Sequence, residues 1–460
     1  MPRSLSSADR RFLLDLFGEE DALFSPEATL VFGADASRRF APPLGVVRPS
    51  QREQVRALLR WADGTHTPLY IRARGTNQVG DCAPDPPGLV VSTLKLDRIL
   101  EVDSKDFVAV VEPGVITADF QKHVETLGLF YPPDPASTRI STLGGNVATC
   151  AGGMRALRYG VTRDYVLGLE AVIPGGQTIR LGGRMHKNVV GLDLARLFVG
   201  SEGTLGFITE LTLKLLPKPE ATGSLLVGFS SLGAALDAVA AVFAAGLLPS
   251  ALEFLDRFTL ECLALLGPPP WPEGTEAALL LRLDGGKDAL PLELARAQRA
   301  IEDCAPSFLL KGLGAQEEAP LWELRNSINP ASFLLKPDKL SDDVTVPRGK
   351  IQDAVEAAHA IAARRDIRVL CFGHLGDGNI HVNIMYDAAD SAEAAAAHAG
   401  MHELLDVVIG LSGSISGEHG VGLSKLPYLD KQLPSLERAL MHRVKRVFDP
   451  NDIMNPGKAY

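Results

Sequence analysis

Residues 373–383 read GHLGDGNIHVN, and residues 417–420 read GEHG. Three of the chain's ten histidines fall in these two pieces. Asp377-Gly378 lies between two strand-like runs, 367–372 and 380–386, and an Asp-Gly step in that setting signals a two-residue hairpin loop. With those two residues as the loop, Gly376 pairs with Asn379, Leu375 with Ile380, and His374 directly faces His381. Opposed residues hold their Cβ atoms roughly 5 Å apart, so two imidazoles placed this way reach one metal ion. Glu418 offers a carboxylate, which gives a 2-His-1-carboxylate set with open positions. His419 beside it remains as an imidazole able to take a proton from a hydroxyl next to a Lewis acid. The plainer reading is a glycine-rich hairpin whose histidines bond locally. The concentration of four polar groups in two short pieces favours the site.

At 460 residues the chain is too long for one ordinary core, and two or three domains are expected. A hydrophobic content of 46% and a charged content of 22% are those of a globular protein. A net charge of −10 argues against nucleic acid as a partner. The five cysteines are far apart and form no C-x-x-C, which argues against an iron–sulfur cluster and for a reducing compartment. The N-terminus has no secretory apolar run, and no segment approaches a charge-free transmembrane span.

In the N-terminal half, strands are expected at 44–47, 69–72, 89–92, 108–112, 166–173, 178–181 and 207–216. Helices are expected at 50–61, opened by a Ser50/Glu53 capping box, and at 117–128. From about residue 224 strands (225–229, 251–255, 278–283) alternate with helices (232–245, 289–304). Further helices are expected at 321–333, 350–364, 391–411 and 434–447. Three loops are dense in glycine and small polar residues: 72–80, 143–153 and 199–210. Glycine lets backbone N–H groups approach an anion closely. None of the loops matches the dinucleotide fingerprint G-x-G-x-x-G with an acidic residue about 20 positions on. Together they suggest a large ligand wrapped by one domain.

The motifs RARGTN (72–77), PPDPAST (132–138), GGNVATCAGG (144–153), RYGVTRDYVLGLEAV (158–172), KNVVGLDLARLFVGSEGTLGFITELTL (187–213), GHLGDGNIHVN, SGEHGVG (416–422) and FDPNDIMNPGK (448–458) extend this reading. Their content and order resemble the FAD-linked 2-hydroxy-acid dehydrogenases, which include D-lactate dehydrogenase, the flavin subunit of glycolate oxidase and D-2-hydroxyglutarate dehydrogenase. The resemblance spans nearly the whole chain. It implies an α+β protein with a vanillyl-alcohol-oxidase/p-cresol-methylhydroxylase-type FAD-binding domain at 1–221. A cap domain with an antiparallel sheet covered by helices follows at 222–412, and 413–460 returns to the FAD domain.

Carried over by position, the resemblance assigns the pyrophosphate to Arg74, Gly75, Thr76, Asn77, Gln78 and Gly80. The flavin falls to Asp134, Ser137, Gly144, Gly145, Asn146, Thr149, Gly152, Gly153 and Tyr159. The adenine side falls to Glu202, Gly203, Thr204, Gly206 and Ile208. No histidine lies in the loop 72–80, so FAD is expected to be noncovalent. Relatives often carry Gly-Gly-Gly or Gly-Ala-Gly where this chain has Ala73-Arg74-Gly75, which puts the phosphate contacts in doubt.

Arg325 is expected to grip a substrate carboxylate through paired, charge-assisted hydrogen bonds. His374, His381 and Glu418 would hold a divalent metal (Zn, Mn or Fe) that binds the hydroxyl oxygen. His419 takes the hydroxyl proton, and Asn383, on the strand face of His381, bonds substrate. The products are a 2-oxo acid and reduced FAD, with electrons passing to an acceptor protein or a quinone. Members acting on D-2-hydroxyglutarate carry a lysine at a position that falls near Ser341, whereas Lys339 is two residues off. That departure favours a short monocarboxylate, D-lactate first, with glycolate, D-2-hydroxyglutarate and a bare flavin electron-transfer subunit as alternatives. A homodimer or a subunit of a redox complex fits this reading. So does a place in the cytoplasm or, through the acceptor partner, at the inner membrane.

Overall fold

Leu89–Ser92 is the central strand of the N-terminal sheet. It pairs in parallel with Gly45–Val47 on one side and Leu69–Arg72 on the other. All four of its residues are buried, as a parallel strand covered on both faces requires. Ala22–Leu23 adds an antiparallel edge to Gly45–Val47. The computed structural model describes residues 4–37 and 39–460. The chain divides into two units: Met1–Gly152, Val161–Lys218 and Glu418–Tyr460 form the first, and Gly153–Gly160 with Pro219–Gly417 the second.

In the first unit the helix Arg52–Thr65 buries Val55, Leu58, Leu59 and Ala62, an i, i+3, i+4, i+7 stripe. These residues share one apolar cluster with Leu69, Leu89 and Val91 of the first sheet and with Val172 and Phe207 of a second. Each fully buried aliphatic side chain of this kind stabilises by roughly 1.5–3 kcal/mol. The second sheet is antiparallel, in the order Ile99–Asp103, Val108–Val111, Phe207–Lys214, Val166–Ile173, Gln177–Gly182. Ile453 and Met454, near the end of the chain, complete the cluster. Leu69 N–H donates to the Ile453 carbonyl at 2.7 Å, which ties the returning segment to the first sheet.

The second unit is a seven-stranded antiparallel sheet. Its order is Phe308–Leu313, Ala221–Phe229, Ala277–Gly285, Ala251–Asp256, Arg368–His374, Asn379–Tyr386, Asp338–Thr345. One face carries Leu226, Leu255, Ala278, Leu280, Leu370, Phe372 and Met385. They pack against Leu260, Leu263, Leu321, Trp322 and Ile328 of the covering helices. The same face holds Glu253 opposite His374, and Phe372 opposite His381.

Several expectations need correction. The hairpin loop is four residues, 375–378, and His374 pairs with Asn379 while Phe372 pairs with His381. Leu375 N–H bonds the Leu252 carbonyl at 2.9 Å, so the neighbouring strand Ala251–Asp256 draws it away from Ile380. The glycine-rich stretch at 143–153 is not all loop. Thr142 caps a helix, Leu143–Thr149, by accepting the Gly145 N–H. The Ser50/Glu53 capping box is absent, because the backbone N–H and hydroxyl of Ser50 both donate to the Gln54 side chain and the helix starts at Arg52. The helix Ser7–Phe17 and the strands Phe308–Leu313 and Asp338–Thr345 carried no expectation. The unit divisions fall at Lys218/Pro219 and Gly417/Glu418, a few residues from 221/222 and 412/413.

Candidate active site

His374 ends its strand, and His381 lies diagonally across the hairpin on the same face, because side chains alternate with period two. Their rings meet edge to face with centroids 5.1 Å apart. The Nδ1 of His374 contacts Glu253 Oε1, which places Nε2 on the opposite edge of the ring. Glu253 is fully buried, and its other oxygen accepts from Arg325 Nε at 2.7 Å. Burial alone would raise the Glu253 carboxyl, but the charges of His374 and Arg325 outweigh it and pull it down to about 2. Trp322, one helical turn before Arg325, sits in the apolar cluster and donates its indole N–H to Ser224 at 2.9 Å. That fixes the helix Gly314–Asn326 and swings Arg325 over the ring of Phe372, 4.8 Å from its centroid.

Asn383, two residues beyond His381, is 2% exposed, and its Oδ1 is buried without a hydrogen-bond partner. A buried acceptor without a partner, on the strand face of His381, can take a donor. Ser341 stands directly opposite Asn383 on the adjoining strand. Lys339 is turned to Asn329 Oδ1, with its ammonium over the Phe333 ring. Asp256, His359 and Cys371 form another donor cluster in this unit. There Asp256 caps the helix Arg257–Ala264 through the Thr259 N–H and bonds His359 at 2.6 Å, so its oxygens already have structural work.

Within the same unit the chain leading to GEHG runs beside Asp338–Thr345. Thr345 and Ser414 exchange backbone hydrogen bonds of 3.0 and 2.7 Å. Asp343, fully buried, accepts the Gly417 N–H at 2.7 Å and the Ser416 hydroxyl at 3.3 Å. A Cβ at residue 417 would sit 1.7 Å from Asn379 Nδ2, so only glycine fits there. Glu418 is the next residue along the chain.

In the first unit, Asn77 Nδ2 donates to the His419 carbonyl at 3.0 Å, and the Gln78 amide lies 3.4 Å from His419 Nε2. The Glu202 carboxylate accepts the N–H groups of Val421 at 2.6 Å and Gly422 at 2.9 Å. Burial pushes the Glu202 carboxyl up, and those two N–H groups oppose the shift without cancelling it. Sequence reasoning had given Glu202 only to a cofactor, and had given Glu253 no role. An acid flanked by Leu252 and Phe254 in the strand ALEFLD was the available signal for Glu253.

The three glycine-rich segments converge within this unit. A Cβ on Gly145 would lie 3.2 Å from the Ala73 Cβ, so the loop 72–80 runs against the helix Leu143–Thr149. Gly200 and Glu202 donate to the Val147 and Ala148 carbonyls at 2.9 and 2.8 Å, which brings the third segment to the same helix. Gly75 and Gly80 have φ of +66° and +79°, and Gly203 has +71°. Gly152 lies against Glu418, whose Oε2 would be 2.8 Å from a Cβ there. A surface poor in side chains and rich in N–H groups fits a ligand with an anionic pyrophosphate and a planar ring system.

The remaining expected residues are spread more widely. Asp134 and Ser137 lie in the loop held by Gln121, which donates to the Pro133 carbonyl at 2.8 Å. Asn146 is buried and donates to Thr117 Oγ1 at 2.8 Å, and Thr149 Oγ1 back-bonds to the Gly145 carbonyl. Thr204 Oγ1 lies 2.8 Å from the Tyr460 hydroxyl. A Cβ on Gly206 would press on the Val172 carbonyl, and Ile208 pairs with Ala171 in the antiparallel sheet. Gly153 and Tyr159 group with the second unit, where the Tyr159 hydroxyl is 3.0 Å from both carboxylate oxygens of Asp284.

Residues 43–182 match the family model described as FAD binding domain, and residues 218–459 match FAD linked oxidases, C-terminal domain. The chain belongs to the FAD-linked oxidase family. The glycolate oxidase subunit GlcD of Bacillus subtilis (strain 168) is 40% identical over 97% of this chain and 96% of its own length. A D-lactate dehydrogenase of Anaerostipes hadrus is 35% identical over 91% and 90%. A D-2-hydroxyglutarate dehydrogenase of Stutzerimonas stutzeri (strain A1501) is 36% identical over 93% and 94%. Among solved structures, p-cresol methylhydroxylase with substrate bound superposes with a TM-score of 0.81 at 17% identity, covering 100% of this chain and 98% of that one. The fold is therefore of the α+β p-cresol-methylhydroxylase type, and the protein is an FAD-binding oxidoreductase. No helix among the described residues is long and apolar enough to cross a membrane.

Proposed function

We propose that the protein oxidises a short D-2-hydroxy acid, D-lactate first, to the 2-oxo acid. One observation carries this reading. Two imidazoles stand side by side on a sheet face, next to an arginine anchored on a buried carboxylate. The first unit serves as the FAD-binding domain, residues 219–417 as the substrate cap, and 418–460 as the segment that brings GEHG back to the flavin. FAD, bound noncovalently in the first unit, would supply the hydride acceptor for the carbon that bears the hydroxyl. His374, His381 and Glu418 would hold a divalent ion, whose Lewis acidity would lower the hydroxyl pKa.

The chain's own residues do the rest. Arg325 fixes the substrate carboxylate with its terminal nitrogens, since Nε is committed to Glu253. Asn383 Oδ1 accepts a substrate hydrogen bond, and His419 takes the hydroxyl proton. Arg74, Gly75, Thr76 and Gly80 present the loop that faces the pyrophosphate. Gly144, Gly145 and Gly152 let the helix and the stretch after it pack against Pro113, Ala73 and Glu418.

Ser341 opposite Asn383 supports a monocarboxylate, because no lysine occupies that position and Lys339 is bound elsewhere. Glycolate is the second reading, favoured by the 40% identical relative named for it. That relative is named a subunit, which supports electron delivery to a partner protein or quinone in the cytoplasm or at the inner membrane. An anaerobic screen of flavin bleaching with D-lactate, L-lactate, glycolate and D-2-hydroxyglutarate tests the reading. D-lactate should bleach fastest. Faster bleaching by glycolate or D-2-hydroxyglutarate overturns the choice of substrate, and bleaching by none overturns the reaction.

A further inference from the structure

We infer that Glu253 is a positioning residue that aims the His374 imidazole and the Arg325 guanidinium together at one substrate. This rests on the reading of His374, His381 and Glu418 as a metal set. Leu252 and Phe254 flank Glu253 on its strand, and the carboxylate is fully removed from solvent. An ion pair buried in a sheet is poor value for stability, because apolar residues of the same volume do as well or better. What Glu253 adds is geometry. One oxygen contacts His374 Nδ1, and the other accepts from Arg325 Nε at 2.7 Å.

The first contact fixes the imidazole tautomer. With Nδ1–H donated to a carboxylate, the lone pair sits on Nε2, the atom a metal needs, and the ring cannot rotate away. The second contact fixes the guanidinium. With Nε occupied, the two terminal nitrogens form the edge that matches a carboxylate bidentately. They carry no hydrogen bond among the described residues. Phe372 closes the arrangement by lying under the guanidinium, 4.8 Å from its ring centroid, and beside the His381 ring at 5.4 Å. One side chain therefore sets the distance between the group that grips the substrate acid and a group that holds the metal at its hydroxyl.

The test uses the full-length, FAD-loaded protein, with Mn²⁺ or Zn²⁺ titrated by equilibrium dialysis and D-lactate kinetics run in parallel. Glu253→Gln should bind the metal about 10–100-fold more weakly, the usual cost of losing a carboxylate behind a ligating histidine. At saturating metal its kcat should recover toward wild type while KM stays raised, because Glu253 touches no reacting atom. Arg325→Ala should raise KM and leave metal affinity near wild type. The double variant should raise KM no further than Arg325→Ala alone, since both changes remove one interaction. Should Glu253→Gln fail to accumulate with bound FAD, Glu253→Asp carries the same readouts, its carboxylate being one methylene too short to reach both partners. Wild-type metal affinity together with wild-type KM in the variant that folds overturns the inference. A different result addresses its premise: if His381→Ala keeps the metal, or the wild type takes up none, the metal set itself is wrong.

Discussion

Two buried glutamates divide the work of this protein. Glu202 in the first unit gives its oxygens to backbone N–H groups, those of Val421 and Gly422. Glu253 in the second unit gives its oxygens to side chains, His374 and Arg325. The acidities diverge accordingly. Glu202 is pushed up by burial that two neutral donors only partly offset, and Glu253, despite its burial, is pulled down to about 2 by its contacts with His374 and Arg325. Glu202 therefore holds a loop, whereas Glu253 holds the two side chains it is proposed to position. The loop that Glu202 clamps carries His419, the proposed base.

The sharpest way to break the comparison is to remove the base itself. His419→Ala should keep its FAD and metal and lose flavin reduction by D-lactate about 10²–10⁴-fold, the typical cost of a general base. Reduction by dithionite should proceed at the wild-type rate. Stopped-flow absorbance reads both, and a variant that bleaches normally with D-lactate moves the base elsewhere. Next in size is Arg325→Lys. A lysine cannot donate from Nε and from a bidentate edge at once, so KM for D-lactate should rise at least about tenfold with metal content unchanged. An unaltered KM would separate Arg325 from the substrate.

Glu202→Gln sharpens the contrast from the other side. The amide presents donors to N–H groups that need acceptors, and leaving a buried group unsatisfied costs about 1–3 kcal/mol. Hydrogen exchange should quicken across residues 418–424. Loss of metal with unchanged exchange would show that Glu202 does not act through that loop.

The smallest effect expected is on acid stability of the metal-free protein. The folded value of Glu253 lies below its ordinary 4.5, so its contribution is complete above pH 4.5 and is lost as pH falls toward about 2. Asp81 in the first unit is shifted the other way, raised by burial and by nearby Glu202. Its contribution is present at low pH and is lost as pH rises through the raised value. Acidification from pH 5 to pH 3 should therefore weaken exchange protection in residues 219–417 more than in 44–152. Equal loss in both would contradict the contrast.

The sequence made the face of the hairpin legible but not its register. His374 and His381 share a face under either register, because a shift of two residues preserves the alternation. The loop length depended on Leu252, a partner on a distant strand that no local signal reveals. The strands Leu69–Arg72 and Val166–Ile173 were plain from short, mostly apolar runs and the turn residues that follow them. The helix Leu143–Thr149 was hidden by its two glycines, although Thr142 stood ready as a cap. Glu253 was invisible because its meaning lies in what folds over it: His374 is 121 residues away and Arg325 is 72.

The central claim is that metal and flavin act on one hydroxy acid. It is tested most directly by anaerobic mixing of D-lactate with two preparations, one metal-replete and one stripped by a chelator, each with its flavin bound. The replete protein should bleach within its turnover time, and the stripped protein should stay yellow until Zn²⁺ or Mn²⁺ is restored. Bleaching of the metal-free protein at the full rate would contradict the account.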